Sequence, residues 1–362
     1  MDLSKAFDCV RHDILLKKLE SLGVRGVVLE WFASYLTDRR QYVEVHGTKS
    51  VKLNIMYGVP QGSILGPLLF LLYINDLPAA VEKGHLVLFA DDSNLVQTGK
   101  GVVDLEVSTY VELAKIQQWF HENGLVINST KTKFVLFKNK GKPDMDPVVF
   151  IGEEVIERLD SAMFLGVDMD DGLTWSPKLC KKLSSSIFLL RNMRSFCDDA
   201  SLTSLYHSLF VSAVRYGIIH WGGSSASNME RVLIMQKRAI RVLAGLRRRD
   251  SCRQVFKKLK LLTVPSLYIL DAITFVIKNN IGMTANEVSC RVTRQAHDYF
   301  IEPYRLNSSR CNVQQAGRYF FNCLPSCLKE LKKSKDFYKK LREFLVDGAF
   351  YTLQEFTGQV RP

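Results

Sequence analysis

The stretch LVLFADDSNLV, Leu86 to Val96, sets two adjacent aspartates in an apolar run of strand character. Carboxylates that close raise one another's proton affinity unless a cation lies beside them. A divalent ion resolves the conflict. Mg²⁺ takes oxygen ligands, keeps several waters, and is held by one or two carboxylates together with substrate phosphates. Asp91 and Asp92 are therefore candidate metal ligands, set against the plainer reading of two solvated turn residues. A third acid favours the metal. Asp2 opens DLSKAFD, which reads as a strand end turning into a helix, with Asp8 placed to cap that helix. An acid there would meet the hairpin aspartates across adjacent strands. Three carboxylates at two strand ends are the parts of a two-metal site: one ion activates an attacking hydroxyl, the other steadies the leaving group of an in-line phosphoryl displacement.

The segment GVPQGSILGP, Gly58 to Pro67, supplies a different kind of group. Its glycines Gly58, Gly62 and Gly66 permit close backbone approach, and Gln61 offers both a donor and an acceptor. Such a loop suits lying along a nucleotide or a template base; by itself it is also a good turn.

The elements that must position these residues are readable from periodicity. Ile14, Leu15, Leu19 and Leu22, closed by Gly23, predict one helix, and Val28, Leu29, Phe32, Tyr35 and Leu36 a second. Tyr42–Val45 and Val51–Ile55 predict a hairpin across HGTKS, and LLFLLYINDL an apolar helix. LVLFADDSNLV reads as two short strands with their turn near Asp91–Ser93, Val111–Phe120 as an amphipathic helix, and Lys133–Phe137 as a strand. Mixed helices and hairpins imply an α+β fold, an antiparallel sheet with helices on one face. From about Ser176 the pattern is helical: Leu179, Leu183, Ile187 and Leu190 form one core stripe, and Val232, Met235, Ala239, Val242 and Leu246 another. Their flanks are basic, with Lys178, Lys181, Lys182, Arg191 and Arg194 on the first and Lys237, Arg238, Arg241 and Arg247–Arg249 on the second.

Charge divides the same way. Residues 1–150 hold 17 basic and 17 acidic side chains, leaving 32 and 20 for residues 151–362, which carry the whole net charge of +12. A neutral half with clustered acids suits metal chemistry, and a basic half suits a polyanion such as nucleic acid, unless the flanks are merely solvated faces. The eight cysteines are scattered without a CxxC, and Cys323 and Cys327 have no His or Cys partner at zinc-ligand spacing. They read as reduced thiols of an intracellular protein. The longest apolar run, Leu68–Ile74, is too short to span a bilayer, and MDLSKAFD is no signal peptide, so no membrane partner is expected.

DLSKAFD, GVPQGSILGP, FADD, GLVINSTKTKFVLF and FLGVDMD occur in this order. Together they resemble motifs A to E of reverse transcriptases, most closely those of non-LTR (LINE-type) retrotransposons of the jockey-like sort. The resemblance implies a right-hand polymerase palm over residues 1–175, a helical thumb over 176–260 and a basic helical extension over 261–362. It implies RNA-directed DNA polymerisation, with an RNA template, a DNA primer and dNTPs as partners and two Mg²⁺ ions, replaceable by Mn²⁺, as cofactors. Nucleus and cytoplasm are the compartments it implies. Asp2 and Asp91 would hold both ions, with Asp92 completing the cluster. Phe7 falls at the family's steric gate against a ribonucleotide 2′-OH, unless it is simply a core aromatic. Gln61 and Gly62 would line the incoming nucleotide and template. Lys131 would assist the leaving pyrophosphate, with Lys133 as the competing candidate. Leu165 and Gly166 would form the primer grip; the nearby acids Asp168, Asp170 and Asp171 read as turn residues and not metal ligands.

Family members carry fingers before motif A, and many an endonuclease before that, whereas one residue, Met1, precedes Asp2 here. The chain thus reads as a fragment. Asp2 is expected to be loosely held at a frayed terminus, with weak or absent polymerase activity. The competing functional reading is a catalytically inactive remnant that binds nucleic acid through its basic half; a group II intron-type reverse transcriptase is a further alternative.

Overall fold

The apolar stripe of the first predicted helix does what its spacing requires. α1 (His12–Ser21) buries Leu15 and Leu19 completely, and Gly23, at φ 96°, turns the chain out of it. α2 (Val27–Leu36) follows and buries only Leu36. The computed structural model describes residues 1–137, 145–173, 178–283, 298–303 and 312–359. Cys290, Cys311, the domain limit expected between residues 175 and 176, and the side chain of Lys178 lie outside them. The chain forms two compact units, Met1–Ala162 and Met163–Pro362.

The first unit mixes short strands with helices. β1 (Asp2–Leu3) is its earliest strand. β2 (Arg40–Gln41) pairs with β5 (Leu53–Asn54), and between them β3 (Glu44–Val45) pairs with β4 (Thr48–Lys49) around His46 and Gly47, both at positive φ. The predicted hairpin is present but tighter at its tip, because a two-residue turn with both φ positive matches strand twist. One residue more on the return side, at Ser50–Lys52, shifts the register between the two pairings. α3 (Leu65–Ile74) is apolar all round and supplies Leu69, Phe70, Tyr73 and Ile74 to the core. β6 (His85–Phe89) and β7 (Asp92–Val96) form the aspartate hairpin. α4 (Val102–Glu122) runs well beyond the predicted Val111–Phe120. β8 (Ile127–Asn128) pairs antiparallel with β1. β9 (Lys133–Phe134) pairs in parallel with β11 (Glu154–Arg158), which itself pairs antiparallel with β10 (Val149–Ile151). The sheets are thus small and not uniformly antiparallel. One core joins Leu3 and Val10 to α1, α3 and the end of α4 through Trp119 and Phe120. Tyr73 sits at its centre, fully buried, and donates its hydroxyl to the Asn123 carbonyl at 2.5 Å.

β12 (Ser161–Phe164), which begins in the last two residues of the first unit, and β13 (Val167–Asp170) form a hairpin. Helices follow: α5 (Lys178–Met193), α6 (Asp199–Leu205), a π-helical turn over Tyr206–Val211, α7 (Ser212–Arg215), α8 (Ile218–Trp221), α9 (Ala226–Ala244), α10 (Arg253–Lys258) and α11 (Val264–Lys278), then Val313–Asn322 and Phe337–Gly348. A single hydrophobic core runs from Leu183 to Phe356, so residues on both sides of position 260 share it. Gln236, fully buried on α9, ties it together: its amide donates to the Tyr206 hydroxyl and the Leu262 carbonyl, and its oxygen accepts from the Val264 amide.

Candidate active site

The aspartate pair lies at the tip of β6–β7. Phe89 faces Asp92, so the turn is the two residues Ala90 and Asp91, with Ala90 at φ 51°. Asp92 is therefore the first residue of a strand and not part of the turn. It is exposed, Asp91 is half-buried, and Ser93 beneath them is fully buried.

Asp2 arrives from the neighbouring strand. The N-terminal ammonium of Met1 donates to the Ser93 carbonyl at 2.7 Å, and the Ser93 amide donates to the Met1 carbonyl at 3.3 Å. Two residues that exchange both bonds are an opposed, hydrogen-bonded pair of an antiparallel ladder. Extended one step, that register sets Asp2 opposite Asp92 with their side chains on one face. On the other side Asp2 pairs with Asn128, and its amide donates to Thr132 Oγ1 at 3.3 Å. The expectation of a frayed, loosely held Asp2 is corrected. Bonds on both sides fix its strand, and Leu3 anchors it in the core at 5% exposure. Burial lowers the proton affinity of the Met1 amine, and the negative charges of Asp92 and then Asp2 offset this only in part.

The NSTKT segment closes against the same strand. The Asn128 side chain accepts from Thr130 Oγ1 (2.7 Å) and the Lys131 amide (3.2 Å), and its carbonyl accepts from the Thr132 amide and hydroxyl (2.9 and 2.8 Å). This turn sets the Lys131 ammonium 3.6 Å from Asp2 Oδ2. Lys133, its competitor, lies on β9 and holds Glu157 of β11 at 2.5 Å. Asn128 and Thr132 escaped the sequence reading; the Asx-turn potential of an asparagine before Ser-Thr was the available signal.

The glycine-rich loop docks on the turn that follows β1. The Gly58 amide donates to Val10 O at 2.7 Å and the Val59 amide to Phe7 O at 2.9 Å. A Cβ on Gly58 would lie 2.9 Å from Asp8 Cα. Gln61 Nε2 donates to Asp8 Oδ1 at 2.7 Å. Asp8 therefore does not cap α1. A short 3-10 turn over Ala6–Asp8 intervenes, the N-cap is Arg11, and no side chain caps it. The Phe7 ring rests on Phe70 with centroids 4.5 Å apart and stays half-buried, so it is partly core and partly surface. Gly62, at φ 80°, is exposed with nothing near its missing Cβ.

In the second unit, Leu165 and Gly166 form the two-residue turn of β12–β13, at φ 45° and 78°. The Tyr216 hydroxyl donates to Leu165 O. Asp168 and Asp170 stand on β13, and only Asp171 begins the turn beyond it, which corrects the expectation that all three are turn residues.

Among the described residues no group of three His, Cys, Asp or Glu side chains is arranged so that it could hold a metal ion by itself. An ion at Asp2, Asp91 and Asp92 would need further oxygen ligands to complete its shell, as hard, oxygen-seeking Mg²⁺ does. Among the described residues no helix is long and apolar enough to cross a membrane.

Residues 1–169 match the family model described as "Reverse transcriptase (RNA-dependent DNA polymerase)". The matched residues, a little under half of the chain, are similar to reverse transcriptases. Its relatives are retrotransposon proteins. The chain is 29% identical over 275 residues, 73% of its length, to the probable RNA-directed DNA polymerase from transposon X-element of Drosophila melanogaster. It is 29% identical over 259 residues, 67% of its length, to the corresponding protein of transposon BS of the same species. To the RNA-directed DNA polymerase from mobile element jockey of D. melanogaster it is 27% identical over 261 residues, 68% of its length. The matched stretch spans 30% of the first relative and 28% of each of the other two.

Proposed function

We propose that this chain is the polymerase portion of a non-LTR retrotransposon reverse transcriptase, adding deoxynucleotides to a primer 3′-OH on an RNA template and releasing pyrophosphate. The observation that carries this reading is the pair of Met1–Ser93 bonds, whose register sets Asp2 against Asp92, with Asp91 in the adjoining turn and Lys131 beside Asp2. In this reading residues 1–175 are the palm, 176–260 the thumb and 261–362 a basic extension that shares the thumb's core.

Asp2 and Asp91 would hold two Mg²⁺ ions with Asp92 beside them, and the ions would supply Lewis-acid activation of the primer hydroxyl and charge neutralisation at the leaving group. The residues around them do the rest. Gln61, held by Asp8, presents its amide at the surface beside Gly62, where the bare backbone leaves room for a base pair. The exposed part of the Phe7 ring, braced by Phe70, excludes a 2′-OH. Lys131 donates a proton to the departing pyrophosphate or, still charged, stabilises its negative charge; its present partner Asp2 releases it when substrate phosphates arrive. Leu165 and Gly166 support the primer end.

The test is RNA-templated incorporation of labelled dNTPs by the full chain with Mg²⁺ or Mn²⁺, with Asp91→Ala as control. Incorporation that Asp91→Ala abolishes supports the reading. Salt-sensitive RNA binding without incorporation in either metal favours the catalytically inactive remnant.

A further inference from the structure

Five arginines of the second unit converge on one cavity of ≈ 670 Å³: Arg191 and Arg194 at the end of α5, Arg238 and Arg241 one turn apart on α9, and Arg248 just beyond it, around Gly245. Like charges gathered this closely repel, and the ordinary remedy is a carboxylate. Elsewhere in the unit that remedy is used: Arg215 holds Asp271 at 2.5 Å and Arg253 holds Glu355 at 2.6 Å. Among the described residues no carboxylate pairs with Arg191, Arg194, Arg238 or Arg248. The nearest acid in sequence, Asp250, is otherwise engaged. Its side chain accepts from the Arg247 amide at 2.8 Å, and its carbonyl takes both Nε and Nη2 of Arg241 at 3.1 and 3.0 Å. The end of α9 supplies only about half a negative charge.

The cavity is also built for guanidinium access. Gly245, the left-handed cap of α9 at φ 64°, leaves room for Arg194, whose Nη2 would lie 2.5 Å from any Cβ there. Near the arginines in sequence, α5 and the residues just beyond it expose two aromatic rings outside the cavity lining. Phe188, three residues before Arg191 on the same helix face, is 60% exposed, and Phe196, two residues after Arg194, is 84% exposed. Clustered cations with open rings form the pattern that grips a single strand, through its phosphates and by stacking on its bases. Size points the same way. A cavity of ≈ 670 Å³ is roughly 11 Å across as a sphere, narrower than even the major groove of a duplex at about 12 Å. An extended single strand spaces its phosphates roughly twice as far apart as the ~3.4 Å axial spacing along one strand of a duplex, so about two phosphates fit.

We propose that this pocket binds successive backbone phosphates of single-stranded nucleic acid, with Phe188 and Phe196 as stacking platforms. It rests on the polymerase reading only for the expectation that nucleic acid is nearby, and its test is a binding measurement that needs no catalysis. Fluorescence anisotropy of the full chain is recorded with a single-stranded RNA, a single-stranded DNA of the same sequence and a blunt duplex, over a salt series. Arg194→Gln/Arg238→Gln is expected to weaken both single strands roughly tenfold or more and to reduce the salt slope by about 1.4. Phe196→Ala weakens binding without changing the slope. Lys257→Gln/Lys258→Gln, which removes two exposed charges from α10, has less than a threefold effect. If the first double variant misfolds by circular dichroism, Arg191→Gln/Arg248→Gln replaces it. Parallel loss of duplex binding, an unchanged slope, or an equal loss in the α10 control overturns the proposal. RNA weakened but not DNA, or the reverse, keeps the site and names its strand. Failed incorporation with this binding intact refutes the polymerase reading alone.

Discussion

Three glycines of the loop at Gly58–Pro67 separate backbone strain from close approach. Gly58 combines both: its φ is 90°, and a Cβ would meet Asp8 Cα at 2.9 Å and the carbonyls of Phe7 and Asp8 at 3.0 Å. Gly62 has the strain without the contact, with φ 80° and nothing within 4 Å. Gly66 has the contact without the strain, its Cβ falling 2.7 Å from Pro60 O. A left-handed alanine costs about 1–2 kcal/mol, and forced overpacking about 1–3 kcal/mol. Gly62→Ala is therefore expected to cost about 1 kcal/mol, Gly66→Ala about 1–3, and Gly58→Ala about 2–5, because rigid backbone and no flexible side chain stands in its way. Hydrogen exchange read by mass spectrometry reports this locally. The amides of Gly58 and Val59 are protected by Val10 O and Phe7 O, so Gly58→Ala should speed their exchange roughly 30-fold or more. Gly62→Ala should change the same peptide several-fold. Equal protection in wild type and Gly58→Ala, or a larger effect at Gly62 than at Gly58, would refute the docking of this loop on the Phe7–Asp8 turn.

Further expectations follow from the same geometry. Lys131→Ala should lower single-turnover incorporation roughly 10²-fold, whereas Lys133→Ala, which loses only a β9–β11 tie, should change it less than about threefold. Glu112 is 1% exposed. Burial alone would raise its proton affinity, but the Glu82 amide and Lys115 reverse this, so its folded pKa is lowered. Its stabilisation is then complete above the ordinary glutamate range, about 4.3, and is lost as pH falls through the lower folded value. The denaturant midpoint should drop more steeply between pH 5 and 3 in wild type than in Glu112→Gln. Gln236→Leu strands the Val264 amide and the Leu262 carbonyl and removes the donor to the Tyr206 hydroxyl, so about 2–5 kcal/mol of stability should vanish from the second unit in denaturant unfolding.

How much was legible depended on whether a residue's task was set locally. Leu15 and Leu19 announced α1, and the stripes on α5 and α9 announced their burial, because one helix face meets one core. α4 was read at half its length although Val103, Val107 and Tyr110 recur at helical spacing; that stripe is exposed in its first turns, and only the later ones bury Leu113, Ile116, Trp119 and Phe120. Asp2 and the aspartate pair were legible as types, but their register follows from two bonds between Met1 and Ser93, 92 residues apart. Lys131 and Lys133 were indistinguishable in sequence. Strand β9 directs one to Glu157, and the Asn128 turn directs the other to Asp2. Asp8 looked like a cap because DLSKAFD was read as running straight into a helix; the 3-10 turn and the returning Gln61 gave it another partner. The arginines stood out as two basic stripes, but only the packing of α5 on α9 brings them to one cavity.

The central claim is that Asp2 and the hairpin aspartates act as one site. Single-turnover incorporation by wild type, Asp2→Asn, Asp91→Asn and the double variant tests it directly, because groups that act as a unit are strongly non-additive. Each single substitution should cost roughly 10³-fold or more, with the double variant no worse than the worse single. Near-full activity in Asp2→Asn, or losses that multiply in the double variant, would contradict it.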